Sequence, residues 1–165
     1  MRGYLLPATL LCSALGVALG FTVAWLWATG IAALIGSAWA TWAVLTSGGI
    51  DTQWADGVYL ACWIGTAGNA LSVYLRRPAG LFAVLVLSLN AGALCGALGA
   101  LTGLGGELPQ GLIGVFVLVP VSWAVRRGVV LPTKVISSWL IAIAALAAIL
   151  QFVPVTPGYL PDHVE

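Results

Sequence analysis

Charge is what this chain has least of. Six Lys or Arg and five Asp or Glu make up 7% of 165 residues, against roughly a quarter in an ordinary soluble domain. The net charge is only +1 and the basic residues come in ones and twos, so there is no electrostatic footprint for nucleic acid. Histidine occurs once, at His163 near the C-terminus. No Ser, His and Asp set, no His-rich metal site and no glycine-rich phosphate loop following a strand can be assembled. Neither catalysis nor a bound cofactor or metal is therefore expected. The three cysteines, Cys12, Cys62 and Cys95, each lie inside an apolar run without the paired spacing of a metal or redox motif, and read as small packing residues.

The distribution of the few charges is as telling as their number. Residues 3–50 carry none, and comparable gaps follow at 57–75, 78–106, 108–125 and 135–161. A bilayer core about 30 Å thick takes about 20 apolar residues of helix to cross, so each gap is roughly a span or more. A charge at the bilayer centre costs about 2.5 to 3.5 kcal/mol on insertion scales, and no gap holds one. A proton-coupled exchanger of the small multidrug kind would be expected to keep a titrating carboxylate there. With 61% of its residues hydrophobic, the chain is expected to be an all-α, polytopic integral membrane helical bundle.

The opening "MRGYLLPATLLCSALGVALG" has the basic start and apolar stretch of a secretory signal, but the apolar run continues well past Gly20 and is read as a span. Residues 4–46 are too long for one crossing, and the best break is "WLWATGIA", where Gly30 weakens the helix behind the interfacial pair Trp25 and Trp27. Elsewhere "SGGIDTQWADG", "RRPAG", "GGELPQG" and "RRGVVLPTK" supply glycine, proline and charge as boundaries. The expected spans are residues 5–27, 30–47, 57–75, 80–104, 110–125 and 133–153 of a single domain, 1–153, followed by a Pro-rich extended tail at 154–165. About six spans then form three consecutive hairpins, turning at 28–30, 76–79 and 126–133. Five spans plus a re-entrant or interfacial segment is the alternative.

Arg76, Arg77, Arg126, Arg127 and Lys134 fall in two loops, and the acids fall in the others and the tail. The positive-inside bias puts the basic loops in the cytoplasm, with both termini outside, a disposition Arg2 mildly opposes. The expected location is a bacterial inner membrane, with these five residues setting topology or touching anionic headgroups. Trp123, Trp139 and Tyr74 would anchor the cytoplasmic interface, and Trp54, Tyr59 and Trp63 the outer one. Trp39 and Trp42 sit deeper, as core or lipid contacts. The likeness of "VYLRRPAGL" to "WAVRRGVVL" is weak evidence for duplication, since topology alone selects those residue types.

Neutral polar residues remain inside the spans. Asn69 lies near 10 Å along the helix axis from Arg76, and Asn90 lies on the returning span, so the two approach mid-membrane depth together. They could line a route for a small neutral or weakly polar solute with Thr66, Ser72 and Ser88, or serve as interhelical glue, the commoner use of isolated Asn and Ser. Gly92, Gly96, Gly99 and Gly103 recur at spacings of four, three and four on one helical face. Ala33, Ser37 and Thr41 repeat the small-residue theme, as do Gly16 and Gly20. Such faces serve close packing within the bundle or a homo-oligomer or other membrane subunit. The functional expectation is a transport-related membrane protein, a permease or channel-like protein or a subunit of one. The alternative is a noncatalytic accessory or assembly subunit of a larger membrane complex.

Overall fold

A computed structural model describes residues 5–49, 52–75, 80–103 and 108–153. Among them there is no strand, and the helices are α1 (Leu5–Leu19), α2 (Ala24–Gly48), α3 (Ala55–Ser72), α4 (Leu81–Thr102), α5 (Leu108–Leu112), α6 (Leu118–Arg126) and α7 (Leu131–Leu150). Short 3₁₀ segments precede α3 at Thr52–Trp54 and join α5 to α6 at Ile113–Val117. Three of these helices, α2, α4 and α7, are long and apolar enough to cross a membrane. The Arg76–Arg77 pair and the tail 154–165 lie outside the described residues.

The first break is not at Gly30. The chain turns over residues 20–23, where the Thr22 hydroxyl donates to the Leu19 carbonyl at 2.7 Å and Val23 is extended. Thr22 and Val23, both β-branched and stiff at χ1, suit that extended exit better than a helix interior. Gly30 stays helical inside α2, and its missing side chain is what lets α4 come near: a Cβ there would meet Ser88 Oγ and Val84 at 3.1 Å. The glycine read as a breaker is a contact.

The consequence falls on α1. At 15 residues it is about 22 Å long at 1.5 Å per residue, shorter than a bilayer core of about 30 Å. Ten of its residues are buried, and it packs on α3, α4, α7 and the whole α5-to-α6 segment. A helix apolar all round belongs in a core, and α1 occupies it, with Leu11, Leu15 and Leu19 at its centre.

The packing partners are not the sequence neighbours. Both α1 with α2 and α6 with α7 touch only slightly, while α2 packs chiefly on α4, so the consecutive-hairpin expectation does not describe the main contacts. Instead there are two parallel pairs. Along α2 and α4, Gly30 lies against Val84 and Ser88, Gly92 against the Leu34 and Ala38 backbone, and Gly96 against Ala38 and Thr41. Along α1 and 108–126, Gly111 meets Ala8, Gly114 meets Thr9 and Ser13, Gly16 meets Val115 and Leu118, and Gly20 meets Val121. Contacts advancing about one turn at a time on both members are what small residues at every fourth position produce.

The expected span 110–125 is also less regular than a single helix. Pro120 has no N–H to donate and its ring crowds the carbonyl four residues back, at Phe116. The turn before it tightens into the 3₁₀ segment, as helices under such strain do.

These contacts rank the glycines. Leucine at Gly92 would run into α2 backbone, whereas Gly36, exposed with nothing within 4 Å, has room. Gly92→Leu is expected to lose about 1 to 3 kcal/mol by overpacking, or to fail to fold, and Gly36→Leu to stay within about 0.5 kcal/mol of the parent. Unfolding in mixed micelles measures the difference.

Candidate functional site

The helix end shared by the basic residues is well defined. Tyr74, just past α3, donates from Oη to the Lys134 carbonyl at 2.7 Å in the first turn of α7. The Arg126 guanidinium lies 5.2 Å from the Trp27 ring centroid at the start of α2, and Arg127 lies 4.2 Å from that of Trp123. Both arginines are exposed, where such cation–π contacts contribute about 0.5 to 1 kcal/mol each. Thus Arg126, Arg127 and Lys134 gather at one end of the bundle with the C-terminus of α3 and the N-terminus of α2. Trp123 and Trp139 are exposed, while Trp63, expected to mark an interface, is buried in the core.

The polar residues read as one set separate onto different faces. Ser88 is buried with no hydrogen-bond partner for Oγ, and it faces α2 at Gly30. Thr66 is buried and its hydroxyl donates to the Cys62 carbonyl at 2.8 Å, within its own helix. Neither lines the space between α3 and α4. Asn69 and Asn90 do: with Gly65, Gly68, Leu87 and Leu94 they border a cleft of about 380 Å³ between the two helices.

One glycine opens that cleft. On the α3 wall, Gly68 has nothing within 4 Å of where a Cβ would stand, whereas a Cβ at Gly65 would meet Leu94 Cδ1 at 3.1 Å and Leu11 Cδ1 at 3.2 Å, with Asn90 Nδ2 beyond them at 3.6 Å. Asn69 forms the floor. It is 1% exposed, and neither Nδ2 nor Oδ1 has a partner within the chain. A buried amide left so is destabilising by about 1 to 3 kcal/mol, in a setting where hydrogen-bonding groups normally find each other. Asn90 is exposed on the opposite wall. Ser72 lines an adjoining apolar groove of about 400 Å³, its hydroxyl committed to the Asn69 backbone carbonyl at 2.6 Å. A larger hollow, about 480 Å³ between α2 and residues 112–119, has an almost wholly apolar lining.

The glycine face divides similarly. Gly92 and Gly96 are occupied by the chain's own α2. Gly99 is half-buried, and Gly103 is the exposed C-cap of α4 at φ 67°, a left-handed position that glycine adopts freely. The sequence reading missed one juxtaposition altogether. Cys12 on α1 and Cys95 on α4 have their sulfurs 3.6 Å apart, and Cys62 of α3 belongs to the same buried cluster. Residues 83 positions apart carry no local signal of their meeting.

No family model, curated protein or solved structure matches the chain, so the chemistry of the site rests on its own residues.

Two measurements check this geometry. Asn69→Leu is expected to leave the melting temperature unchanged or raise it, because the variant removes an unpaired buried amide; a clear fall would reveal a hydrogen bond that Asn69 makes. All three thiols should resist a membrane-permeant maleimide in the native protein and react together once it is unfolded in SDS.

Proposed function

We propose that this is a small integral membrane protein with a transport-related role, binding and passing a small neutral or weakly polar solute, either alone or as a subunit of a permease or channel-like assembly. The observation that carries the reading is the Asn69 amide, buried and unpartnered in the floor of the α3–α4 cleft, with Asn90 on the facing wall. In lipid an amide must be satisfied from within the protein or along a wet path, and a solute with hydrogen-bonding groups would satisfy this one. No acid or base lines the cleft among the described residues, which suits a neutral cargo and a noncatalytic role.

In this reading the chain crosses a bacterial inner membrane about six times, with Arg76, Arg77, Arg126, Arg127 and Lys134 on the cytoplasmic side and both termini outside. The gathering of Arg126, Arg127 and Lys134 at one end supports that orientation. The short α1 and the segment 110–126 would cross as the inner members of the bundle, where protein rather than lipid surrounds α1.

A second reading, a noncatalytic accessory subunit or a homo-oligomer, is favoured by α2. That helix packs chiefly on α4, and Ala28, Ala32, Gly36 and Ala40 lie exposed along it. Since Gly92 and Gly96 are engaged internally, a partner would approach α2 rather than the glycine face of α4.

Stopped-flow swelling of liposomes containing the purified protein, with urea, glycerol and acetamide as solutes, tests the transport reading. Flux above that of empty liposomes is expected for at least one solute, reduced about tenfold or more in the Asn69→Leu, Asn90→Leu double variant. Liposomes no leakier than empty ones would eliminate the independent transporter.

A further inference from the structure

The cleft at Asn69 does not stand alone. It shares Gly68 and Leu87 with the adjoining groove, in which Leu71, Leu75, Phe82 and Val86 form the walls. The two hollows therefore adjoin along the α3–α4 seam, from the middle of α4 at Asn90 towards its N-terminus at Phe82. Each part, about 400 and 380 Å³, falls within the range of small-molecule sites, about 300 to 1,000 Å³. Asn90 and Phe82 are exposed, so the seam opens on the flank of the molecule, where a membrane solute would enter sideways.

Polarity along this seam is confined to one end. The Asn69 amide supplies an unpaired donor and an unpaired acceptor, and Asn90 supplies a second amide across the cleft. In the adjoining part, the one hydroxyl, that of Ser72, is already bonded to the Asn69 carbonyl. No ionisable side chain lines either part among the described residues. The order is inverted relative to a bilayer lipid, whose charged head stays at the interface while its tail runs inward. An occupant with its head at Asn69 and its tail towards Leu75 and Phe82 must carry a head that can leave water, which excludes charged headgroups.

We propose that the α3–α4 seam binds a neutral amphiphile, a molecule with one uncharged head offering both a hydrogen-bond donor and an acceptor, of which a primary carboxamide is the simplest, and an apolar tail lying between Leu71, Leu75, Phe82 and Val86. This rests on the cleft being a binding site for neutral solutes and narrows its ligand. An amide head pairs with the Asn69 amide through two hydrogen bonds in a ring, removing the penalty that the empty floor carries. The tail supplies the remaining affinity by leaving water for the groove.

Equilibrium binding of radiolabelled hexadecanamide and acetamide to the full-length protein in mild detergent, with the liposome swelling assay run on the same variants, tests this. Hexadecanamide is expected to bind saturably and to bind at least tenfold tighter than acetamide. Asn69→Leu and Asn90→Leu, alone or together, should weaken it about tenfold or more. Ala83→Trp, which fills the apolar groove from its wall, should weaken hexadecanamide and leave acetamide unchanged, and phosphatidylglycerol should not compete. Melting curves establish that each variant is folded, and Asn90, being exposed, can be replaced even if Asn69 cannot. If acetamide binds or permeates in an Asn-dependent way while hexadecanamide is no tighter and Ala83→Trp changes neither, the amphiphile is rejected and the small-solute reading stands. If neither probe depends on the asparagines, both fall.

Discussion

The fold depends on helices touching backbone to backbone. Inside a bilayer there is no water to expel between apolar helices, so association rests on close packing and whatever hydrogen bonds cross the interface. Here that contact is concentrated at Gly92 and Gly96 of α4, which receive the backbone of α2 at Leu34 and Ala38, and at Gly16 and Gly114, which bring α1 and the α5-to-α6 segment together. A side chain at any of these four positions would push two helices apart. Because each pair is parallel, its members must be separated in sequence by a helix returning the other way. For the α2–α4 pair that helix is α3, which packs on α1, α4 and α7 and so positions the seam.

The same residue type has the opposite effect on α3. There Gly68 is approached by nothing and its missing side chain leaves a cleft instead of a contact, while Gly65, one turn earlier, still packs against the Leu94 and Leu11 side chains at 3.1 and 3.2 Å. The difference lies in what the partner offers. Opposite Gly92 and Gly96, α2 presents small residues, among them Ser37 and Ala38; opposite Gly65 and Gly68, α4 presents Leu87, Asn90 and Leu94. The α4 side chains near Gly68 are bulkier than those α2 presents, and the two asparagines border the space left beside them.

Much of this was legible in the chain. The charge-free gaps and the loops rich in glycine, proline and charge mark α3, α4 and α7 to within a few residues, and the end of α2 though not its start at Ala24, because span length and loop chemistry are local properties. The periodic glycines of α4 identify a close-packing face for the same reason. What the face meets is not local: nothing near Gly92 names α2 as its partner. Gly30 illustrates the limit. Its intrinsic weakness as a helix former argues for a break, but the contact with Val84 and Ser88 holds it helical, and tertiary packing overrides propensity. Among the five neutral polar residues, depth could be counted along each span. Rotation about the axis could not, which is why Ser88 and Thr66 turn away while Asn69 and Asn90 meet.

The enclosed position of α1 carries an implication for how the protein is made. Its neighbours α3, α4, α5, α6 and α7 are all synthesised after it, and the one helix that follows directly, α2, barely touches it. A short helix that is apolar on every side therefore gains most of its packing partners only after the chain has been extended well beyond it. Late enclosure of an early element gives the chain a high separation between contacting residues, and with it slow completion. The packing around α1 is thus complete only once the C-terminal helices α6 and α7 have been made.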